Sequence, residues 1–185
     1  KVTQRVYMGK SLKEIGSFFK TDKVSDTINY TPAYEKYFEP IRVENLKILE
    51  IGVKHGASLL TWRNYFKNSQ ILGMDNWLKV SDHIDVTKNM AENNIKIFVG
   101  DQACKEDLEK LIEEYSNFDI IIDDGGHTMK QQQFTLGFLF PYLSQGGLYV
   151  IEDLVTSHWG FANDRHKDFH KSTPVDQRLT TLEYL

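Results

Sequence analysis

Acidic residues end each of five short apolar runs in the sequence. The acids are Glu50, Asp75, Asp101, Asp123 with Asp124, and Glu152 with Asp153. A single acid in such a place is an ordinary turn former or helix cap, but capping alone explains a recurrence at all five runs poorly. Carboxylates that gather at one place bind cations and take part in proton transfer. The sequence therefore predicts an acidic ligand site.

The last two acidic groups have the composition of a divalent metal site. If the fourth and fifth runs are neighbouring strands, about 4.8 Å apart, Asp124, Glu152 and Asp153 can converge on one ion. Hard carboxylate oxygens suit Mg²⁺, with Mn²⁺ or Ca²⁺ as substitutes. His127 follows shortly after Asp124, so its imidazole can reach the same pocket as a proton acceptor. Two other interpretations stay open, because Asp-Gly-Gly is also typical of a turn and adjacent acids of a solvated loop.

Five β-branched runs must position these acids. They cover residues 46–51, 71–74, 95–99, 118–122 and 147–151, and helical patterns occupy 57–66, 105–115 and 128–140. Strand and helix patterns that alternate predict an α/β fold, namely a Rossmann-like, largely parallel sheet with helices on both faces. Ligands of such sheets bind at the carboxyl ends of the strands, near the switch in strand order. The acids therefore stand at the predicted binding edge.

Two helices are predicted ahead of the first strand. Ser11 opens the spacing of a capping box. Thr31 followed by Pro32 is typical of an N-cap and a first helical position. We therefore divide the chain into a helical segment over residues 1–45 and a core over residues 46–185.

Composition bounds the class of protein. A chain of 185 residues with 41% hydrophobic and 26% charged residues suits one soluble domain. A net charge of −4 argues against a nucleic-acid surface. Cys104 is the only cysteine, which excludes an internal disulfide and is typical of the cytoplasm. No apolar run is long enough for a membrane span. The expected partner is a small molecule or glycan, and a homo-oligomer is an open possibility because association covers exposed sheet edges.

The turn after the first strand selects the kind of cofactor. It reads EIGVKHGAS over residues 50–58. A dinucleotide fold needs a second glycine two residues after Gly52, where the backbone approaches a pyrophosphate, but Lys54 stands there. Glu50 suits a cationic amino-acid group, Asp75 can hold a ribose diol, and Asp101 can reach an adenine amino group. This pattern favours S-adenosylmethionine over a nicotinamide dinucleotide.

Longer stretches carry a family resemblance. The stretches LKILEIGVKHGASLLTW, ILGMD, GDQ, FDIIIDDGGH and GGLYVIEDLVTSHW resemble the class I methyltransferases of the macrolide sugar O-methyltransferase type, which act on mycinamicin and tylosin precursors. Proteins of the cephalosporin hydroxylase-like family are similar too. The likeness covers about residues 19–159. The stretch from Thr21 through Lys23, Tyr30 and Tyr34 also resembles the part of that family that precedes the core, although Asn29 stands where many relatives have histidine.

The resemblance implies an activity and a role for each site residue. The implied contacts with S-adenosylmethionine are Glu50, Gly52, Ser58, Asp75 and Asp101, to which we add Asp123. Catechol-type O-methyltransferases have a similar layout around their metal. By this likeness the implied metal ligands are Asp124, Glu152 and Asp153, and the implied catalytic residues are His127, as the base, and Asp124. The implied reaction transfers a methyl group to a hydroxyl, with Mg²⁺ or Mn²⁺, on a sugar of a glycan or glycosylated natural product.

Three expectations complete the comparison with the family. Class I methyltransferases continue with a helix and two strands after the fifth strand, so we expect the sheet of this chain to be C-terminally incomplete. A metal-independent S-adenosylmethionine methyltransferase that acts on an amine or a carboxylate stays open. So does a binding module without turnover, although the acids at all five strand ends argue against it.

Overall fold

The computed structural model describes residues 9–76 and 83–154. Five parallel strands form one sheet in the order β3-β2-β1-β4-β5. The strands are β1 (Lys47–Ile51), β2 (Gln70–Asp75), β3 (Ile95–Val99), β4 (Phe118–Asp123) and β5 (Leu143–Ile151). The predicted parallel α/β sheet is confirmed. β5 begins at Leu143 and not at residue 147 as predicted. Leu143 and Ser144 are half-buried, Gln145 and Gly146 are exposed, and the pairing with β4 is irregular there, so this part of the strand carries a weak apolar signal.

In the described residues, six α-helices accompany the sheet. They are α1 (Leu12–Phe19), α2 (Thr31–Phe38), α3 (Ala57–Tyr65), α4 (His83–Glu92), α5 (Lys105–Tyr115) and α6 (Met129–Leu139). Ser11 and Glu14 form the predicted capping box at α1. The N-cap of α2 is Tyr30 and not Thr31, because the Tyr30 carbonyl already accepts a hydrogen bond from the Tyr34 N–H, at 3.1 Å. α4 was not predicted from the sequence. Thr173 followed by Pro174 also predicts a helix start, but these residues lie outside the described ranges.

Two hydrophobic clusters cover the two faces of the sheet. Successive residues of β1 divide between them, because side chains alternate along a strand. Ile48 packs with Phe38 of α2 and Trp62 of α3, and Leu49 packs with Leu108 of α5. The helices that precede the sheet therefore share a core with it.

The strand order places a switch point between β1 and β4. β1 pairs with β2 on one side and with β4 on the other, so their helical connections leave in opposite directions and a crevice opens at their carboxyl ends. This crevice holds the candidate site. Among the described residues, no helix has the length and apolar character needed to cross a membrane.

Candidate active site

A cavity of about 1100 Å³ opens at the carboxyl ends of the strands. Its volume lies slightly above the usual range for ligand pockets, about 300–1000 Å³. The predicted site residues that line it are Gly52, Ser58, Asp75, Asp101, Asp124, His127 and Asp153. The structure therefore gathers most of the predicted cofactor and metal residues around one cavity.

The turn after β1 forms one wall and depends on Gly52. Gly52 has a φ of 92°, which residues with a Cβ rarely adopt. A Cβ at this position would lie 2.1 Å from the carbonyl oxygen of Asp124, so the turns after β1 and β4 can approach each other only with glycine here. Asp75 Oδ2 accepts hydrogen bonds from the N–H groups of Val53, at 2.8 Å, and Lys54, at 3.0 Å. The end of β2 therefore shapes the turn of β1.

The loop after β3 is tied to the turn after β4 by Gln102, a residue without a predicted role. Gln102 Nε2 donates to Asp123 Oδ1 at 3.1 Å and to Thr135 Oγ1 at 3.0 Å. Its Oε1 accepts a hydrogen bond from the Gly126 N–H at 2.6 Å. Because Asp101 precedes it in the chain, one short loop contributes a predicted cofactor contact and also holds the backbone that carries Asp124.

Two predicted cofactor contacts lie beneath the cavity wall. Glu50 is fully buried and accepts hydrogen bonds from Ser58 Oγ, at 2.6 Å, and Trp62 Nε1, at 3.1 Å. Burial raises the pKa of Glu50 to about 7, and burial likewise raises the pKa of Asp123 to about 6. Neither carboxylate lines the cavity. Their contact with a cofactor stays a prediction.

Three side chains form a group that can hold a metal ion. Ligand atoms of Asp124, His127 and Asp153 all lie within 4.8 Å of one another. His127 Nε2 is 3.7 Å from Asp124 Oδ1 and 3.6 Å from Asp153 Oδ2. His127 and Asp153 both have positive φ, 55° and 56°, a conformation that costs energy in non-glycine residues and is found at functional sites. The surrounding structure holds both side chains at the cavity.

The third predicted metal ligand, Glu152, points to a buried lysine. Lys23 Nζ is 2.7 Å from Glu152 Oε1, 2.5 Å from Asp124 Oδ2 and 3.6 Å from Glu50 Oε1. Burial would lower the pKa of Lys23, but the three carboxylates raise it above its ordinary value. A buried cation needs such partners to offset the loss of water. The role of Glu152 as a metal ligand stays a prediction, which its second carboxylate oxygen would carry.

Two tyrosines without a predicted role complete the surroundings. Tyr30 Oη donates to Asp153 Oδ1 at 2.6 Å, and Tyr34 Oη donates to Glu152 Oε1. Lys23, Tyr30 and Tyr34 all lie in the stretch whose family likeness was noted from the sequence. The family likeness was therefore the sequence signal for these three residues. It did not indicate which acids their side chains contact.

The strand order, the glycine turn after β1 and the acids at the strand ends define the class I methyltransferase fold. Residues 49–154 match the family model described as a methyltransferase domain, and the chain belongs to this family.

Its relatives include sugar O-methyltransferases. The chain is 37% identical over 155 residues to mycinamicin VI 2''-O-methyltransferase of Micromonospora griseorubida, covering 80% of this chain and 37% of the relative. It is 37% identical over 179 residues to demethylmacrocin O-methyltransferase of Streptomyces fradiae, covering 92% of this chain and 42% of the relative. The predicted likeness to the macrolide enzymes is confirmed. The chain spans about two fifths of the length of these relatives.

A solved structure shows the same likeness. The MycE methyltransferase of the mycinamycin biosynthetic pathway, in complex with Mg, SAH and mycinamycin VI, superposes with a TM-score of 0.71 at 35% identity. The match covers 89% of this chain and 45% of that one.

Proposed function

We propose that this protein transfers a methyl group from S-adenosylmethionine to a sugar hydroxyl, with a divalent metal ion and His127 as the base. The observation that carries the proposal is the group of Asp124, His127 and Asp153 on the wall of the large cavity. Two carboxylates and an imidazole beside a space of cofactor size support a metal ion bound by the carboxylates and a proton acceptor next to it. Relatives named as O-methyltransferases of rhamnosyl-tetracenomycin compounds support the choice of a sugar acceptor.

The cavity wall suits the parts of S-adenosylmethionine. Backbone N–H groups at the start of α3, near Ser58, suit a carboxylate because the N-terminus of a helix carries partial positive charge. Asp75 at the end of β2 is placed for a ribose diol, as acids at that position are in nucleotide-binding folds. Asp101 after β3 is placed for the adenine. We therefore assign the binding and orientation of the cofactor to the helix start at Ser58, to Asp75 and to Asp101.

The acid group suits a divalent cation. Asp124 and Asp153 offer hard carboxylate oxygens to Mg²⁺ or Mn²⁺, and Glu152 is adjacent. When bound, S-adenosylmethionine supplies an electrophilic methyl group, and the cation lowers the pKa of a hydroxyl beside it. His127 takes the hydroxyl proton at Nε2, which faces both aspartates. Alignment of the hydroxyl oxygen with the methyl group is then a matter of positioning by the cavity wall.

A methyl-transfer assay tests the proposal. With S-adenosylmethionine, Mg²⁺ and mycinamicin VI or demethylmacrocin, the acceptors of the relatives, we expect turnover that stops with a chelator. The change His127→Asn should lower kcat about 10²–10⁴-fold, because a general base is lost, while the affinity for S-adenosylhomocysteine stays the same. A folded wild-type protein that binds neither S-adenosylmethionine nor S-adenosylhomocysteine would contradict the proposal.

A metal-independent methyltransferase is the second candidate. One observation favours it: Lys23 already supplies a positive charge to Asp124 and Glu152. This candidate predicts that methyl transfer persists in the chelator, which separates the two functions in a single assay.

A further inference from the structure

Each of the three acids predicted to bind metal has one oxygen held by the segment of residues 21–34. Lys23 Nζ contacts Asp124 Oδ2 and Glu152 Oε1. Tyr34 Oη donates to the same Glu152 oxygen, and Tyr30 Oη donates to Asp153 Oδ1. One segment ahead of the core therefore reaches all three acids, which come from the ends of two different strands.

The held oxygens and the oxygens that face the metal group are different atoms. On Asp124, Oδ2 contacts Lys23 while Oδ1 lies 3.7 Å from His127 Nε2. On Asp153, Oδ1 contacts Tyr30 while Oδ2 lies 3.6 Å from the same nitrogen. The contacts with the segment thus fix how each carboxylate is rotated. They turn the second oxygen of both aspartates to the same place.

This division of oxygens is what a metal centre requires of its surroundings. A carboxylate that is free to rotate loses conformational entropy when it binds an ion, and a partner on the other oxygen removes part of that loss in advance. Outer partners of this kind orient metal ligands, and their loss lowers metal affinity about 10–100-fold.

We propose that residues 21–34 form the outer shell of the metal centre, with Tyr30 as the positioning residue for Asp153 and Lys23 as the positioning residue for Asp124 and Glu152. The inference rests on the proposed function, since it concerns the metal of the same site. It adds roles for Lys23 and Tyr30, with Tyr34 as a second partner of Glu152, and all three come before the methyltransferase core.

Tyr30 is the residue that tests the inference most cleanly. The change Tyr30→Phe removes one hydroxyl and keeps the aromatic ring. Because Tyr30 is only half-buried, we expect the change to leave the packing of the protein intact. Tyr30 does not line the large cavity, so its hydroxyl has no part in the proposed cofactor contacts. Tyr37 of the neighbouring helix is 54% exposed, and Tyr37→Phe removes the same group away from the acids.

The experiment measures the affinity of the full chain for Mn²⁺ and for S-adenosylhomocysteine by calorimetry. We expect Tyr30→Phe to bind Mn²⁺ about tenfold more weakly or worse, while its affinity for S-adenosylhomocysteine and its melting temperature without ligands stay those of the wild type. Tyr37→Phe should match the wild type in all three measurements. A role in folding alone would move the melting temperature and leave Mn²⁺ affinity unchanged.

A second variant keeps the test independent of one side chain. Tyr34→Phe should also weaken Mn²⁺ binding, but less than Tyr30→Phe, because Lys23 still holds Glu152. Unchanged Mn²⁺ affinity in both variants, with Mn²⁺ binding intact in the wild type, would overturn the inference and leave the proposed function standing. A wild-type protein that binds S-adenosylhomocysteine and no Mn²⁺ would overturn both the metal in the proposed function and this inference.

Discussion

Asp123 is a buried carboxylate with an incomplete set of partners. It is 1% exposed, and its Oδ1 accepts a hydrogen bond from Gln102. Among the described residues, its Oδ2 has no hydrogen-bond partner. Burial raises the pKa of Asp123 to about 6, so folding favours the protonated form. Stability from this group is complete below the ordinary pKa of about 3.9 and is lost as the pH rises through about 6.

The change Asp123→Asn should therefore stabilise the protein at neutral pH and not in acid. The neutral amide mimics the protonated acid, so its advantage in the free energy of unfolding should grow between about pH 4 and pH 6, to at most about 3 kcal/mol. Urea unfolding at about pH 4.5 and about pH 8 measures this advantage. Asp26→Asn, at an exposed position, is the control and should show no such growth. An advantage that shrinks as the pH rises would contradict the prediction.

The acids that face the cavity were predicted more fully from the sequence than the residues that contact those acids. Asp75, Asp101, Asp124 and Asp153 line the cavity as their places at strand ends predicted. The contact of Lys23 with Asp124 joins residues far apart in the chain, and no periodicity relates them. A buried lysine looks like an exposed one in the sequence, because burial is decided by the acids that it meets.

The turn after β1 and the turn after β4 meet at Gly52. Gly146 in β5 also has a positive φ, 80°, but nothing lies within 4 Å of where its Cβ would be. We expect Gly146→Ala to cost about 1 kcal/mol from backbone strain alone. Gly52→Ala should cost about 2–4 kcal/mol, because the collision with the Asp124 carbonyl adds to the same strain.

Urea unfolding of the two alanine variants at one pH measures this difference. Because both glycines have similar φ, the strain common to the two variants cancels in the comparison. Equal losses in the free energy of unfolding would show that the two turns can separate at little cost, which would contradict the extra cost expected for Gly52→Ala.

Strands were predicted more fully than the connections between them. The run 95–99 coincides with β3, and the pattern 105–115 with α5, because apolar periodicity in these stretches is strong. α4 was missed, although Val86 and Met90 are buried one helical turn apart. Its polar and β-branched residues have weak helix propensity, so packing decides its structure.

The wall of the cavity includes segments that follow all five strands, from the turn after β1 to Asp153 after β5. A ligand in this cavity contacts segments from most of the sheet, so it should stabilise the fold as a unit. S-adenosylhomocysteine at about 100 times its Kd should raise the free energy of unfolding by about 2.7 kcal/mol. Thermal unfolding with increasing ligand measures the gain.

A nicotinamide dinucleotide at the same concentration is the matched control. It should give no shift, because Lys54 stands where a pyrophosphate would need a glycine. A dinucleotide shift equal to that of S-adenosylhomocysteine would show that the turn does not select the cofactor.

The contacts of the buried Lys23 also bear on the stage of folding at which the site can form. Lys23 and Asp124 are 101 residues apart in the chain, and Lys23 and Glu152 are 129 apart. Contacts of such long range form late, because the entropy of closing the loop must be overcome first. During synthesis Lys23 is made long before Asp124 and Glu152, so its buried ion pairs can form only after the residues that follow β4 and β5 have been made. The acid group therefore cannot be complete in a nascent chain until the residues that follow the fifth strand, Glu152 and Asp153, have been made.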